Sequence, residues 1–261
     1  MIGIFGGSGL YELLGSDAKR QTIDTRYGTP SAPLVLGSMG GIDVAFLPRH
    51  GLKHEFPPHL VPFRANLWAM KTVGVDRIIG PCAVGSLLRS VEPGQLVVAD
   101  QLVDRTWGRA STFSDGPEVF HISLADPYCT ELRPLAIEAA RASGATVHER
   151  GTVVVVQGPR FSTRAESAFF AKQGWEMINM TQHPEAALAR ELEMCYVNIS
   201  VVTDYDVGIL GEETPVSHRD VLEKFAASLG TLKEVIGKLV PAAARTPRQC
   251  ECAKARGLAS G

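Results

Sequence analysis

Four long runs of apolar residues constrain the fold of this chain more than any other feature of its sequence. They occur in the segments VDRIIGPCAVGSL, GQLVVADQLVD, RGTVVVVQGPRF and CYVNISVVTDYD, and each run ends in glycine or in polar residues. Continuous Val and Ile runs are typical of strands that are covered on both faces, because a half-solvated strand alternates apolar and polar residues. The runs therefore predict a central, mostly buried β-sheet.

Between these runs, apolar residues recur at helical spacing in residues 126–145, 163–174 and 183–194, and again from Ser217 onwards, where the serine is the predicted N-cap. Alternating strands and helices predict an α/β fold with a single core, in which helices flank a mixed central sheet. We expect one domain over residues 1–240, followed over residues 241–261 by a C-terminal tail that is either weakly ordered or an edge element.

Composition excludes several classes of function. The net charge of −2 over 261 residues argues against nucleic-acid binding, which usually requires a basic excess. No apolar stretch reaches the roughly 18–20 residues of a membrane helix, and the N-terminus resembles a strand rather than a signal peptide. The five scattered cysteines are typical of reduced thiols, so we expect a cytoplasmic protein without a disulfide scaffold.

A glycine turn, Gly6-Gly7-Ser8-Gly9, follows the first apolar run. It lacks the full G-x-G-x-x-G spacing and the later acidic residue of a dinucleotide site, so a dehydrogenase-like module is the weaker hypothesis. Its backbone N–H groups and the Ser8 hydroxyl suit an anion, and a tight turn without any ligand is the alternative.

Further polar residues follow other predicted strands. Arg49 and His50 have donors that suit an oxyanion, and a solvated loop is the alternative. A metal site formed by His50, His54 and His59 is possible on spacing, but the usual pair of histidines on a helix with a glutamate is missing. The segment GPCAVGSL is expected to place small residues where a strand stops, which lets a flat ligand approach the backbone. Phe161 can stack on a ring or pack in the core. Thr181 directly precedes a predicted helix, so we expect it to cap that helix first and to contact an anion second.

Asp204 and Asp206 are the strongest single indication of function. Because side chains alternate along a strand, the two carboxyl groups are expected to share one face at the end of a buried run. Two carboxyl groups held together in a partly buried site raise at least one pKa, which leaves an acid able to donate a proton near neutral pH. A surface pair of aspartates is the alternative.

From Gly3 to about Val240 the chain contains, in this order, the motifs GIFGGSGL, RHG, CAVGSL, DQLVDRT, GPRFSTRAES, INMT, PEAALARE and TDYD. Together these motifs resemble those of the methylthioadenosine phosphorylases, in the trimeric branch of the purine nucleoside phosphorylase family. The resemblance implies that inorganic phosphate attacks the anomeric carbon of a purine nucleoside and releases the free base. It implies no cofactor and no metal, with phosphate as a co-substrate, and a homotrimer that binds neither nucleic acid nor membranes.

The resemblance also assigns roles to individual residues. The phosphate would be held by Ser8, Arg49, His50, Cys82, Ala83 and Thr181. Met180 would lie along the ribose, Phe161, Ser162 and Tyr205 would contribute to the nucleoside site, Asp204 would protonate purine N7, and Asp206 would accept from the exocyclic amine. Val221 would line the 5′ pocket, and His121 would reach in from a neighbouring subunit.

Two positions bear on specificity. Relatives that act on 6-oxopurines typically carry Asn at the position of Asp204, so two aspartates favour adenine, and a 6-oxopurine phosphorylase is the alternative. At the position of His218, methylthio-specific members tend to have a small aliphatic residue, whereas members that bind a 5′-hydroxyl have His. Adenosine and 5′-deoxyadenosine therefore remain alternative substrates. Cys250 and Cys252 match a Cys-x-Cys that can oxidise in some members, and we expect two reduced thiols in a loose tail.

Overall fold

The computed structural model describes residues 1–6, 10, 14, 18–117, 119–209, 211 and 215–257. Within them the chain forms one mixed β-sheet of eleven strands with helices on both faces. The strands are β1 (Ile2–Gly6), β2 (Lys19–Gln21), β3 (Leu34–Met39), β4 (Ile42–Pro48), β5 (Arg77–Ser86), β6 (Leu96–Val97), β7 (Gln101–Arg105), β8 (Val147–His148), β9 (Thr152–Val156), β10 (Met177–Asn179) and β11 (Cys195–Tyr205). The α-helices are α1 (Phe63–Thr72), α2 (Leu132–Ala142), α3 (Arg164–Lys172), α4 (Gln182–Glu191) and α5 (His218–Arg245).

The centre of the sheet is the parallel pair β5 and β11, which are paired from Arg77 and Cys195 to Ser86 and Tyr205. Strand β1 runs parallel to both β4 and β5, while β10 joins the end of β5 in the antiparallel direction. The carboxyl ends of β1, β4, β5 and β11 therefore meet at one edge, which is where α/β sheets commonly bind ligands. The fold class expected from the apolar runs is confirmed.

Two apolar layers cover the sheet. One layer includes residues of α1 and α4, and the other includes residues of α2 and α5, which pack on each other and on β11. Helix α5 begins at the expected cap, where the Ser217 hydroxyl accepts from the Asp220 N–H at 3.1 Å. None of the described helices has a stretch that is both long and apolar enough to cross a membrane.

The structure corrects three details of the sequence analysis. Residues 94–104 form two short strands, β6 and β7, instead of one. The strand β5 does not stop at the small residues of GPCAVGSL but continues through them to Ser86. Helix α5 continues past residue 240, and the following segment packs on the body as far as residue 257, with Cys250 and Cys252 buried. The expectation of a loose tail is therefore wrong, although both cysteines are free thiols in the structure.

Candidate active site

Asp204 and Asp206 lie together at the carboxyl end of β11, beside Gly85 of β5. The pairing of the two strands shifts register just before Asp204, and Asp206 follows the last strand residue. A Cβ atom placed on Gly85 would lie 3.1 Å from Asp204 Oδ2 and 3.6 Å from Asp206 Cβ. The expected sharing of one face is confirmed, and any side chain at position 85 would crowd the carboxyl pair.

The environment of Asp204 favours its protonated form. Burial raises the pKa of this carboxyl group, a hydrogen bond from Thr203 opposes the shift, and the nearby Asp206 adds to it, which together bring the pKa to about 6. That hydrogen bond runs from Thr203 Oγ1 to Asp204 Oδ1 at 2.7 Å. A carboxyl group with a pKa near 6 exchanges a proton readily at neutral pH, as a general acid must.

Asp206 is buried more deeply, with 3% of its surface exposed. Burial raises the pKa of its carboxyl group, and the hydroxyls of Ser167 and Ser162 lie close enough to oppose that shift. Nevertheless Asp206 Oδ2 and both serine hydroxyls are buried without a hydrogen-bond partner among the described residues. Buried polar atoms normally have partners, so this group of three has the chemistry to bind the polar edge of a ligand.

Arg49, at the end of β4, is held by a buried ion pair with Glu185 of α4. Its Nε donates to Glu185 Oε2 at 2.6 Å, its Nη2 donates to Oε1 at 2.8 Å, and its Nη1 donates to the Pro81 carbonyl at 3.0 Å. Burial lowers the pKa of the guanidinium, but Glu185 outweighs it and the net shift is upwards. Glu185 also accepts from the Tyr196 hydroxyl. Two of the five guanidinium N–H groups are not engaged by these bonds.

Three histidine rings form a row that begins with His50, the residue after Arg49. His50 and His54 stack with centroids 4.5 Å apart, and His54 lies 5.8 Å from His218 at the start of α5. Burial, together with the Arg49 charge, lowers the pKa of His50 to about 4. Its Nδ1 lies 2.8 Å from the Phe56 carbonyl. Because a carbonyl only accepts, Nδ1 carries the proton, and Nε2 of the neutral ring is an acceptor.

The loop that leads into α4 is organised by Asn179. Its Oδ1 accepts the backbone N–H groups of Thr181 and Gln182 at 2.7 and 2.8 Å, and its Nδ2 donates to the Ala83 carbonyl at 3.0 Å. Thr181 occupies the cap position, but its hydroxyl does not cap the helix. The expected capping role of this side chain is wrong, whereas the expected contact with an anion remains a prediction.

Cys82 lies beneath this loop in a buried polar cluster. Its Sγ accepts from Gln182 Nε2 at 3.5 Å and from Asn198 Nδ2 at 3.2 Å, and it lies 3.9 Å from Ser200 Oγ. Burial raises the pKa of the thiol, so the group is neutral. The hydrogen bonds fix the Cys82 side chain in the protein interior, and the backbone at Ala83 is the part of this segment nearest to Asn179.

Arg109 connects the two loops expected to contact a nucleoside. Its guanidinium donates to the carbonyls of Met180 and Gln157, at 2.8 and 2.6 Å respectively. Gly158 adopts a positive φ of 63°, and a Cβ there would lie 2.6 Å from Met180 Sδ. The half-buried Phe161 follows in the same loop as Gly158. A cleft of about 450 Å³ with Ser162 in its lining opens beside it.

The remaining predicted residues are spread around this edge. The Tyr205 hydroxyl donates to the Arg89 carbonyl at 3.1 Å, and Tyr205 lies between the two aspartates in sequence. Val221 is half-buried one turn after His218 in α5, and His121 is exposed in the segment between β7 and α2. Ser8 lies outside the described residues, so its expected contact with phosphate stays a prediction.

A family comparison agrees with this arrangement. Residues 1–241 match the model of the family described as Phosphorylase superfamily. The chain belongs to the phosphorylase superfamily. The resemblance found in the sequence motifs is thereby confirmed, and the sheet edge that carries the aspartate pair is the candidate active site of a phosphorylase superfamily member.

Relatives within the superfamily are similar over nearly the whole chain. S-methyl-5′-thioadenosine phosphorylase of Mycolicibacterium smegmatis is 52% identical over 237 residues, which are 90% of this chain and 88% of the relative. Purine nucleoside phosphorylase of Streptomyces coelicolor is 50% identical, over 98% of this chain and 94% of the relative. The structure of methylthioadenosine phosphorylase from Schistosoma mansoni in complex with adenine superimposes with a TM-score of 0.92 at 35% identity, covering 98% of this chain and 96% of that chain.

Four residues of this phosphorylase site were not assigned a role from the sequence: Glu185, Asn179, Arg109 and His54. Glu185 is an acidic residue within an otherwise apolar stretch of a helix, and that position was the only local indication of a buried ion pair. Asn179 and Arg109 act by bonding backbone groups that are distant in sequence, which no spacing reveals. His54 has a φ of 58°, a left-handed conformation that the sequence does not predict for a histidine.

Proposed function

We propose that this phosphorylase superfamily member cleaves 5′-methylthioadenosine with inorganic phosphate, giving adenine and 5-methylthioribose 1-phosphate. A phosphate oxygen forms a bond to the anomeric carbon, the bond from that carbon to purine N9 breaks, and its electron pair leaves with the base. The observation that carries the proposal is the aspartate pair at the end of β11, with its shared burial and the raised pKa of Asp204.

Asp204 acts as the general acid in this proposal. Proton donation to purine N7 neutralises the charge that the departing base acquires as an oxocarbenium-like transition state forms. Asp206 accepts from the exocyclic amine of adenine, and its buried Oδ2, which has no hydrogen-bond partner in the described part of the chain, supports this role. A 6-oxopurine offers an acceptor at that position instead, and such a mismatch in a closed site costs roughly 10⁴-fold or more in favourable cases.

The phosphate lies near Arg49, His50, Ala83 and Thr181 in this proposal. The two N–H groups of Arg49 that have no partner among the described residues provide charge-assisted hydrogen bonds in a direction fixed by Glu185. The neutral His50 ring accepts a hydrogen bond through Nε2 from a P–OH group or from a ribose hydroxyl. Donors that are fixed before the reaction stabilise charge without reorganising, which is a large part of electrostatic catalysis.

The 5′ substituent of the sugar is assigned to the region of His54, His218 and Val221. A histidine can hydrogen-bond a 5′-hydroxyl, whereas Val221 offers an apolar surface to a methylthio group. Methylthioadenosine and adenosine are therefore both expected substrates. The second candidate function, phosphorolysis of 6-oxopurine nucleosides, is favoured only by the similarity to a purine nucleoside phosphorylase.

The test is a comparison of initial rates of base release from methylthioadenosine, adenosine and inosine, each with and without phosphate. We expect adenine release to require phosphate and inosine to be the poorest substrate. Equal release without phosphate would make the enzyme a hydrolase, and inosine as the best substrate would make it a 6-oxopurine phosphorylase. Either result overturns the proposal.

The assembly and the location are proposed with the reaction. We infer a cytoplasmic homotrimer in which His121 of one subunit completes the 5′ pocket of the next. The exposure of large apolar side chains, Leu60 at 60%, Trp107 at 73% and Val119 at 69%, supports burial against another subunit. Light scattering gives the subunit number. Mixed assemblies of His121→Ala and Asp204→Ala chains would regain activity if sites are shared between subunits.

A further inference from the structure

Four cysteines that the proposed reaction does not use converge at the other end of the central sheet. Cys129 precedes α2, Cys195 is the first residue of β11, and Cys250 and Cys252 belong to the segment that follows α5. All four are buried, and their sulfur atoms lie within 4.8 Å of one another. They are the only group of three or more metal-ligating side chains that lies together within the described residues.

The spacing of the sulfur atoms fits a tetrahedral metal site. Zinc binds thiolate at about 2.3 Å, which places the four sulfurs of a tetrahedral site about 3.8 Å apart. Here the Cys129 and Cys250 sulfurs are 3.6 Å apart, and those of Cys195 and Cys250 are 3.3 Å apart. Both distances are shorter than the tetrahedral value by about 0.5 Å or less, and all four ligand atoms lie within 4.8 Å of one another, so four ligands could reach one ion with small side-chain adjustments.

Hydrogen-bond donors surround the sulfurs, as is usual at metal thiolate sites. The Arg248 guanidinium donates through Nε to Cys195 Sγ at 3.2 Å. The backbone N–H of Leu132 hydrogen-bonds the Cys129 sulfur, and that of Cys252 hydrogen-bonds the Cys250 sulfur. Four thiolates around a divalent cation carry a net charge of −2, and the Arg248 cation offsets part of it.

We propose that Cys129, Cys195, Cys250 and Cys252 bind one Zn²⁺ ion as a structural site. Thiols release their protons on binding, so one Zn²⁺ replaces up to four protons on the four sulfurs and no electron is transferred. Four thiolates with no open position are the donor set of a structural zinc site, whereas a catalytic site keeps a position for water. The proposal departs from the expectation of no metal drawn from the sequence.

The role of the ion is to hold the C-terminal segment on the domain. Two ligands come from that segment, one from the sheet and one from the chain before α2, so the ion cross-links three parts of the fold. Asp204 lies nine residues further along β11 than Cys195, which at about 3.3 Å per residue separates the ion from the aspartate pair by about 30 Å. Loss of the ion is therefore expected to lower the stability of the protein and not the intrinsic rate of base release.

The first test measures metal content in the full-length, untagged protein, purified without oxygen in the presence of a non-chelating reductant. We expect about one Zn²⁺ per chain. The double variant Cys250→Ser/Cys252→Ser should contain at least about tenfold less zinc. The variant Cys82→Ser is the matched control, because Cys82 is the one cysteine outside the cluster, and its zinc content should equal that of the wild type.

A second test does not depend on a variant that folds. Wild-type protein stripped of metal under reducing conditions is titrated with Co²⁺, and we expect the intense visible bands and the sulfur-to-metal charge-transfer bands of a tetrahedral thiolate site. Failure of the reduced protein to bind Co²⁺ or Zn²⁺ would overturn the proposal. A native mass lower by four hydrogens, with no free thiols in the cluster and no metal, would overturn it in favour of two disulfides.

Discussion

Replacement of Asp204 by asparagine tests whether the raised pKa of this residue controls turnover. Asn has nearly the same shape but has no acidic proton at any pH used for an assay. If protonated Asp204 is the general acid, kcat/KM for methylthioadenosine in the wild type should fall as the pH rises above the pKa of about 6. The variant should be slower and should lack this decline.

The expected size follows from the fraction of Asp204 that is protonated. With a pKa of about 6, about half of the enzyme carries the proton at pH 6 and about one part in a hundred at pH 8. The ratio of wild-type to variant kcat/KM should therefore fall by about fiftyfold between these two pH values. At the acidic end, the variant should be slower by roughly 10²- to 10⁴-fold, the usual contribution of a positioned acid.

The assay follows adenine release by chromatography between pH 5 and pH 9, at saturating phosphate and low nucleoside concentration. Phosphate itself titrates in this range, so the ratio between two enzymes is compared at each pH. Asp43→Asn is the matched control, because Asp43 is an exposed residue of β4 and its loss removes the same charge. This control should show the wild-type pH dependence.

A wild-type to Asp204→Asn ratio that stays constant between pH 6 and pH 8 would refute the reasoning. In that case Asp204 would act by position or charge alone, and the proton at N7 would have to come from another group. A decline that is equally steep in the variant would lead to the same conclusion, because it would assign the titration to phosphate or to a group other than Asp204.

Three further predictions concern stability and specificity. The Asp204 carboxylate destabilises the fold by about 3 kcal/mol above pH 6, and this effect is absent below the ordinary pKa of 3.8. In urea unfolding without substrate, the free energy of unfolding of Asp204→Asn relative to the wild type should therefore rise by up to that amount between pH 4 and pH 7. No such rise would contradict the raised pKa. Glu185→Gln leaves Arg49 as an unpaired buried charge and should lower the free energy of unfolding by about 3 kcal/mol or more. Glu166→Gln, at an exposed ion pair, is the control and should lower it by less than about 1 kcal/mol. Equal losses in urea unfolding would argue against the buried ion pair. His218→Val should raise the preference for methylthioadenosine over adenosine by about tenfold in kcat/KM, and an unchanged ratio would place His218 outside the 5′ pocket.

The parts of the structure that were predicted from the sequence depend on local regularities. Continuous Val and Ile runs identify strands covered on both faces, because every side chain of such a strand is buried and is therefore apolar. The pairing of Asp204 with Asp206 follows from the two-residue period of a strand, although the register shift before Asp204 is visible only in the structure. Ser217 was predicted as a cap because capping involves residues only three apart.

The parts that were not predicted depend on contacts between distant residues. Glu185 lies 136 residues from Arg49, and nothing local to either residue identifies the other as its partner. The continuous run in residues 94–104 gave no indication that β6 pairs with β11 whereas β7 pairs with β9. Residues after Arg245 lack helical periodicity, which predicted a loose tail, but buried thiols and hydrogen bonds hold this segment without any periodic pattern.

The two ends of β11 have opposite effects on stability. At its carboxyl end, the strand holds Asp204 in surroundings that raise its pKa, which costs about 3 kcal/mol at neutral pH because the proton donor must be buried to function. At its other end, Cys195 belongs to a cluster that joins the C-terminal segment to the sheet. A link between residues so far apart in sequence lowers the conformational entropy of the unfolded chain. The buried acid and the cysteine cluster lie about 30 Å apart on the same strand, so stability added at the cluster can offset the cost of the acid without affecting the chemistry.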